Sequence, residues 1–122
     1  MVTMRIFTPL LGALALILAL SLGTARAQGF LSAYEDLPLP PGMTEVAESG
    51  LSFDMPNGRI VEAFARGPLR ATDIIAFYAA TLPQLGWTRD SDRQYRREAE
   101  VLTLETQTEG RNVVVHFTIA PE

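Results

Sequence analysis

The stretch TDIIAFYAATLPQLGW, residues 72–87, decides the fold of this chain. Its apolar residues recur at spacings of three, four and seven, which is typical of an amphipathic helix with a single buried stripe. They are Ile74, Ile75, Phe77, Tyr78, Leu82 and Leu85. The spacing predicts a helix over 73–85 with Thr72 as its N-cap. Pro83 predicts a kink or a tightened last turn, and Gly86 predicts a C-terminal cap.

A β-hairpin is predicted before this helix. Leu51, Phe53 and Met55 alternate with polar residues, which is typical of a half-buried strand. The turn signal at 56–58, Pro-Asn-Gly, leads into a second strand at 59–66. In that strand Ile60 and Phe64 share one face, whereas Val61, Ala63 and Ala65 share the other.

Short strands are predicted after the helix at 87–89, 94–97, 101–108 and 113–119. In the last of these Val113, Val115, Phe117 and Ile119 alternate strictly, so they are expected to face inward. One helix between a hairpin and a strand meander predicts an α+β fold. We expect the helix to pack across an antiparallel sheet in the order ββαβββ(β), with residues 43–122 forming a single domain.

Residues 1–27 have the pattern of a cleavable signal peptide: Arg5, an apolar run over 10–22, and Ala-Arg-Ala at 25–27. Cleavage is expected between Ala27 and Gln28, which predicts a periplasmic location. Retention of the leader as an anchor is the alternative. The chain has no cysteine, so neither a lipid anchor attached to cysteine nor a disulfide is expected.

Residues 28–42 form a proline-rich lead-in that ends in Leu-Pro-Leu-Pro-Pro-Gly at 37–42. Because proline fixes φ and removes a backbone donor, an extended segment is expected there. Removal of the leader, which holds Arg5 and Arg26 and no acid, takes the formal charge from −4 to −6. A chain this acidic is not expected to bind nucleic acid.

The chain resembles small secreted bacterial α+β domains of unknown function in three stretches: the lead-in Leu37–Gly42, the pair Phe77-Tyr78 and the run Leu82–Trp87. The resemblance covers residues 37–119 and implies a lead-in, a hairpin, a helix ending in a Gly-Trp step and a strand meander. The chain also loosely resembles the helix-grip modules of outer-membrane assembly lipoproteins, although it lacks their anchoring cysteine. Neither resemblance supplies catalytic residues.

Residues suited to catalysis or metal binding are sparse. His116 is the only histidine, and a general base needs a nucleophile or carboxylate partner. With one histidine and no cysteine, zinc lacks enough ligands. Asp90 and Asp92 are flanked by Arg89 and Arg93, which favours a solvated turn over calcium. We therefore expect no metal, no cofactor and no enzymatic activity.

The candidate binding residues lie in one short region and combine arginines with aromatic rings. They are Trp87, Arg89, Arg93, Tyr95, Arg96 and Arg97. Arginines in such a group could bind an anion, an acidic headgroup or the carboxylates of a partner. If Tyr95 points into the core, Arg96 faces outward and Arg97 shares the face of Tyr95. Three acids are near enough in sequence to neutralise the group: Glu98, Glu100 and Glu105.

Two functions from different classes follow. The first is a non-enzymatic periplasmic accessory domain that contacts an envelope protein through its sheet face or edge. It predicts a packed core and an exposed apolar patch or a free strand edge. The alternative is a small-molecule or lipid-binding module, which predicts a cavity between helix and sheet. An enzyme, the third reading, would place a carboxylate within hydrogen-bond reach of His116.

Overall fold

The computed structural model describes residues 29–122, so the predicted signal peptide at 1–27 lies outside the described residues. The elements are β1 (Thr44–Glu45), β2 (Leu51–Met55), β3 (Gly58–Gly67), α1 (Ala71–Thr81), a 3-10 turn (Leu82–Leu85), β4 (Thr88–Ser91), β5 (Gln94–Arg97), β6 (Glu100–Glu109) and β7 (Asn112–Pro121). The described chain is an α+β fold in which one helix packs on an antiparallel sheet, as the sequence predicted. The short strand β1 is an addition to that prediction.

The sheet has seven strands in the order β1-β3-β7-β6-β5-β4, and β2 also pairs with β3. The long strands β3, β6 and β7 form its centre. Because side chains alternate along a strand, one face of the sheet carries Val61, Leu104, Val115 and Phe117 toward the helix. All four of these side chains are buried.

The helix begins two residues earlier than predicted. Arg70 is the extended N-cap, with φ −83° and ψ 147°, and its side chain makes no capping hydrogen bond. Thr72 is therefore not the cap, because the backbone N–H groups of Asp73 and Ile74 already bond to the carbonyl of Arg70 at 3.0 and 3.1 Å. A nearby acid supports this end, since Arg70 Nε lies 3.2 Å from Asp73 Oδ2.

The end of the helix confirms the prediction from Pro83 and Gly86. Without an N–H, Pro83 cannot continue the α-helical bonds, and the chain tightens into the 3-10 turn. Gly86 adopts a left-handed conformation, with φ 91°, and its N–H bonds to the carbonyl of Pro83 at 3.2 Å. The next N–H, that of Trp87, returns to the carbonyl of Leu82 at 3.1 Å. Trp87 is thereby turned into the core.

The lead-in packs on the helix side of the sheet. Leu31, Leu37 and Leu39 are buried there, and the loop closes on itself through the N–H of Leu39, which bonds to the carbonyl of Gly29 at 2.8 Å. The Tyr78 hydroxyl donates a 2.8 Å hydrogen bond to the carbonyl of Pro38. The hydrophobic core thus includes residues that precede the expected domain start at Met43. A single helix of 11 residues is too small to cover this sheet alone. The lead-in loop completes the layer that packs on the sheet.

The hairpin forms as predicted, but its first strand is not half-buried. Every residue of β2 is exposed. Phe53 pairs with Ile60 and Leu51 with Glu62, so the apolar side chains of β2 lie on the sheet face that the helix and the loop leave uncovered. The strand alternates as its sequence predicts, but the helix and the loop cover the other face of the sheet.

Candidate functional site

The two aromatic residues of the predicted binding group belong to the core. Trp87 is 3% exposed and Tyr95 is fully buried. Neither the indole Nε1 of Trp87 nor the hydroxyl of Tyr95 has a hydrogen-bond partner among residues 29–122. Burial raises the pKa of the Tyr95 phenol. Both rings therefore serve packing and are not available to stack on a ligand at the surface.

Arg97 joins these aromatic residues on the helix side of β5, as the alternation predicted. Its guanidinium lies 4.5 Å from the centre of the Trp87 ring. It donates hydrogen bonds to the hydroxyl of Tyr34 at 2.7 Å and to the carbonyl of Leu85 at 2.9 Å. Asp36 lies 3.3 Å away, and only 17% of the arginine side chain is exposed. Arg97 is thus held by the protein itself.

The other arginines of the group point to separate partners. Arg96 Nε lies 2.7 Å from Asp90 Oδ2, and its guanidinium also reaches Glu122 at 3.4 Å. The hydrogen bond from the Arg96 guanidinium lowers the pKa of the Asp90 carboxyl. Arg89 pairs with Asp92.

Arg93 donates a 2.9 Å hydrogen bond to the hydroxyl of Thr106. Three acids were expected to neutralise the arginine group: Glu98, Glu100 and Glu105. Among the described residues none of them forms an ion pair with these arginines, although Glu98 lines the same cleft as Arg96 and Arg97. The acids that pair with the group are Asp36, Asp90, Asp92 and Glu122. The folded chain supplies them from the lead-in loop, the β4–β5 region and the C-terminus.

A cleft of about 570 Å³ adjoins Arg96 and Arg97. Three carboxylates share its walls, from Asp36, Glu98 and Glu122. Two arginines facing three acids leave no net positive charge to attract an anion. The cleft therefore does not provide the anion site that the sequence suggested.

A network that the sequence did not reveal anchors the loop to the sheet. The Tyr34 hydroxyl donates to Glu100 Oε1 at 3.1 Å, and Glu100 Oε2 lies 3.3 Å from Arg59 Nε. The guanidinium of Arg59 lies 4.9 Å from the centre of the Tyr34 ring. These residues are up to 66 positions apart in sequence, so no local pattern could have identified them.

The uncovered sheet face carries the most distinctive exposed surface of the described residues. Leu51, Phe53, Met55, Ile60 and Phe64 lie together on the β2–β3 hairpin, and we call them the hairpin patch. The exposed fractions are 50% for Leu51, 53% for Phe53, 46% for Met55 and 37% for Phe64. Neighbouring apolar side chains that are exposed together are typical of an interaction surface.

His116 stands beside this patch, on the face opposite Val115 and Phe117, as the alternation predicted. Its ring stacks on Phe64, with the centroids 4.3 Å apart and the planes 6° from parallel. Its Nε2 lies 3.0 Å from Glu62 Oε1, and its Nδ1 lies 3.9 Å from Glu105 Oε2. A carboxylate is thus within hydrogen-bond reach of the histidine.

The geometry around His116 differs from that of a hydrolytic triad. In such a triad the carboxylate contacts one ring nitrogen and the nucleophile contacts the other. Here the hydroxyl of Thr118 lies 3.5 Å from Nε2, the same nitrogen that contacts Glu62. The other nitrogen faces Glu105, a second carboxylate. The arrangement can hold a charge or a hydrogen bond but does not activate this hydroxyl.

No group of three or more His, Asp or Glu side chains in residues 29–122 is arranged to hold a metal ion. Over the same residues, no helix has both the length and the apolar character needed to cross a membrane. No family model, no curated protein and no solved structure matches the chain.

Proposed function

We propose that this protein is a non-enzymatic accessory domain of the bacterial cell envelope that binds an extended segment of another envelope protein. Export by the leader at 1–27, with cleavage after Ala27, is part of this proposal. The hairpin patch is the observation that carries it. Four of its side chains are more than a third exposed, although other large apolar residues such as Phe117 and Tyr78 are buried.

The edge strand β2 offers the backbone half of such an interface. Among the described residues β2 pairs only with β3, so its outer edge is free to accept another strand. Its one charged side chain, that of Asp54, lies by alternation on the opposite face from Leu51, Phe53 and Met55, and the strand contains no Pro to block strand addition. An added strand would form main-chain hydrogen bonds with β2 and place alternate side chains over the hairpin patch.

The region between helix and sheet favours this function over a ligand-binding module. Ile74, Tyr78 and Leu82 of the helical segment are fully buried. The Tyr78 ring meets Phe117 edge to face, with centroids 5.8 Å apart. Side chains thus fill the place where the alternative requires a cavity.

Site-specific photocrosslinking in living cells tests the proposal. A photoreactive amino acid replaces Phe53 in the full chain, which is produced with its leader in a Gram-negative host. The matched control carries the same residue at Leu85, which is 39% exposed on the 3-10 turn. We expect a defined protein adduct from position 53 that is absent from position 85 and is lost when Leu51→Ser is added.

Two results would overturn the proposal. One is an unmodified monomer at position 53 under conditions in which the photoreactive group reacts. The other is an adduct of a few hundred daltons at either position, which would support the small-molecule alternative. Cell fractionation and N-terminal sequencing of the same material test export, because cleavage after Ala27 leaves Gln28 as the first residue.

A further inference from the structure

The charges beside the hairpin patch restrict the chemistry of its partner. Glu62 and Glu105 lie on either side of the His116 ring, at 3.0 and 3.9 Å from its two nitrogens. Among the described residues His116 is the only basic side chain that contacts them, so at most one positive charge faces two carboxylates. The side chains are 37% and 72% exposed, so a partner can reach both of them.

The remaining charges of this sheet face do not cancel these two acids. On the same face Arg66 is two residues beyond Phe64 and Glu109 lies nearer the β6–β7 turn, so these two charges balance in number and leave Glu62 and Glu105 in excess. Arg96 is engaged by Asp90 and Glu122. The surface next to Phe64 therefore combines exposed apolar side chains with a local excess of negative charge.

This combination argues against two other occupants. If a second copy packed its own hairpin patch on this one, the Glu62 and Glu105 carboxylates of the two copies would be brought together at a cost in electrostatic energy. An anionic lipid surface would meet the same carboxylates and be repelled. A polypeptide with apolar and basic side chains satisfies both parts of the surface.

We infer that the partner segment carries a Lys or Arg side chain that pairs with Glu62 and Glu105, next to apolar residues that cover the hairpin patch. Residues on one face of an extended strand are spaced at every second position. A strand added to β2 therefore presents apolar residues to Leu51 and Phe53. The carboxylates lie beyond β3, on either side of His116 on β7, so the basic side chain comes from residues of the segment that continue across the sheet face past Phe64. This inference rests on the proposed function and specifies its partner.

The test uses the protein purified from the periplasm after expression of the full chain. The probes are two labelled peptides with Ser at every second position, so that the remaining residues share one face of an extended strand; these residues are Leu and Lys in turn in one peptide and Leu and Glu in turn in the other. Binding is followed by fluorescence anisotropy at low and physiological salt. We expect only the Leu–Lys peptide to bind, with an affinity that falls as salt rises.

The charge variant is Glu62→Gln/Glu105→Gln. The matched control, Glu35→Gln/Glu98→Gln, removes the same charge at two exposed residues that do not flank His116. We expect the charge variant to bind the Leu–Lys peptide about tenfold more weakly than wild type, as two partly exposed ion pairs allow, and the control to change it less than about twofold. Phe53→Ser is also expected to weaken binding, because it removes apolar contact.

Several outcomes would overturn the inference: equal binding by the two Gln pairs, equal binding of both peptides, or binding to vesicles that contain phosphatidylglycerol. Its failure is distinguishable from failure of the proposed function. If the Phe53 photocrosslink still forms in cells and is unchanged by Glu62→Gln/Glu105→Gln, the interaction surface stands and the basic chemistry assigned to its partner is wrong. If no photocrosslink forms, the proposed function itself fails.

Discussion

The hydroxyl of Tyr34 accepts a 2.7 Å hydrogen bond from the guanidinium of Arg97, which lies 63 residues further along the chain. This contact joins the lead-in loop to β5. The same guanidinium lies on the Trp87 ring. Arg97 therefore connects three parts of the chain that are distant in sequence, and it does so from a mostly buried position.

Loss of Arg97 is expected to destabilise the fold. Arg97→Met removes the hydrogen bonds to Tyr34 and to the carbonyl of Leu85, so the free energy of unfolding should fall by about 2–3 kcal/mol. The control Arg93→Met removes one exposed bond to Thr106 and should cost less than about 1 kcal/mol. Urea unfolding followed by fluorescence of Trp87, the only tryptophan, measures both changes. Equal losses in the two variants would contradict the assignment.

Tyr78 and Tyr95 form a matched pair for testing hydrogen bonding in the core. Tyr78→Phe removes the bond to the carbonyl of Pro38 and should lower the free energy of unfolding by about 1 kcal/mol. Tyr95→Phe removes a buried hydroxyl that lies near the Arg89 guanidinium but makes no well-formed hydrogen bond among the described residues, so stability should stay the same or rise by up to about 1 kcal/mol. Chemical denaturation of both variants decides the point. A greater loss of unfolding free energy from Tyr95→Phe than from Tyr78→Phe would show that the Tyr95 hydroxyl forms a hydrogen bond.

Alkaline pH is expected to unfold the protein. Burial is the largest cause that raises the pKa of each of the three tyrosines, Tyr34, Tyr78 and Tyr95, above the ordinary value of 10.0. The folded state thus favours the neutral phenols. Their contribution to stability is complete below pH 10 and is lost as the pH rises through the raised values.

The measurement is a titration of tyrosinate absorbance together with circular dichroism. We expect the absorbance to rise cooperatively with unfolding and above the pH at which the urea-unfolded chain titrates. A smooth rise near pH 10 with the secondary structure intact would show that the phenols are accessible.

The absence of a side chain at Gly67 allows two backbone segments to cross. A Cβ at this position would lie 2.5 Å from the carbonyl oxygen of Gly42 and 3.1 Å from the Cα of Met43. Gly67→Ala should therefore lower the free energy of unfolding by about 2–3 kcal/mol. In the control Gly29→Ala, the new Cβ lies 3.7 Å from Leu39 Cδ1, an ordinary contact. Thermal and urea unfolding should separate the two variants, and a stable Gly67→Ala protein would show that the strand end can shift.

The hairpin patch should contribute little to folding. Phe53 is about half exposed, so Phe53→Ser should change the free energy of unfolding by less than about 0.5 kcal/mol. Phe117→Ala removes a ring that is 1% exposed and should cost about 3–5 kcal/mol. Urea unfolding of both variants checks the contrast. A large loss from Phe53→Ser would mean that the exposed ring is needed for the fold.

The sequence predicted most of the secondary structure because its signals are local. The turn at Pro56–Gly58, the shortened helix end at Pro83 and the cap at Gly86 each depend on the backbone limits of one or two residues. Alternation along β7 separates Val115 from His116 without reference to any other strand.

The candidate site was less predictable, because its members are assembled from distant parts of the chain. The arginines of residues 89–97 are adjacent in sequence, but the turn and pleat of β4 and β5 direct them to opposite faces and to different acids. The contact of Glu62 with His116 depends on the register between β3 and β7. That register follows from how the whole sheet packs, and no local pattern encodes it.

The sequence by itself determined the order of strands and helix, the α+β class and the two-sided character of each strand, since backbone sterics and side-chain alternation act over a few residues. The tertiary structure decided which face of the sheet is covered. The short helix and the lead-in loop occupy one side together, with Leu31, Leu37 and Leu39 in the core. Leu51, Phe53 and Met55 are left on the other side, exposed. Burial depends on what packs against a strand, and strands of the same periodicity can be covered or left open.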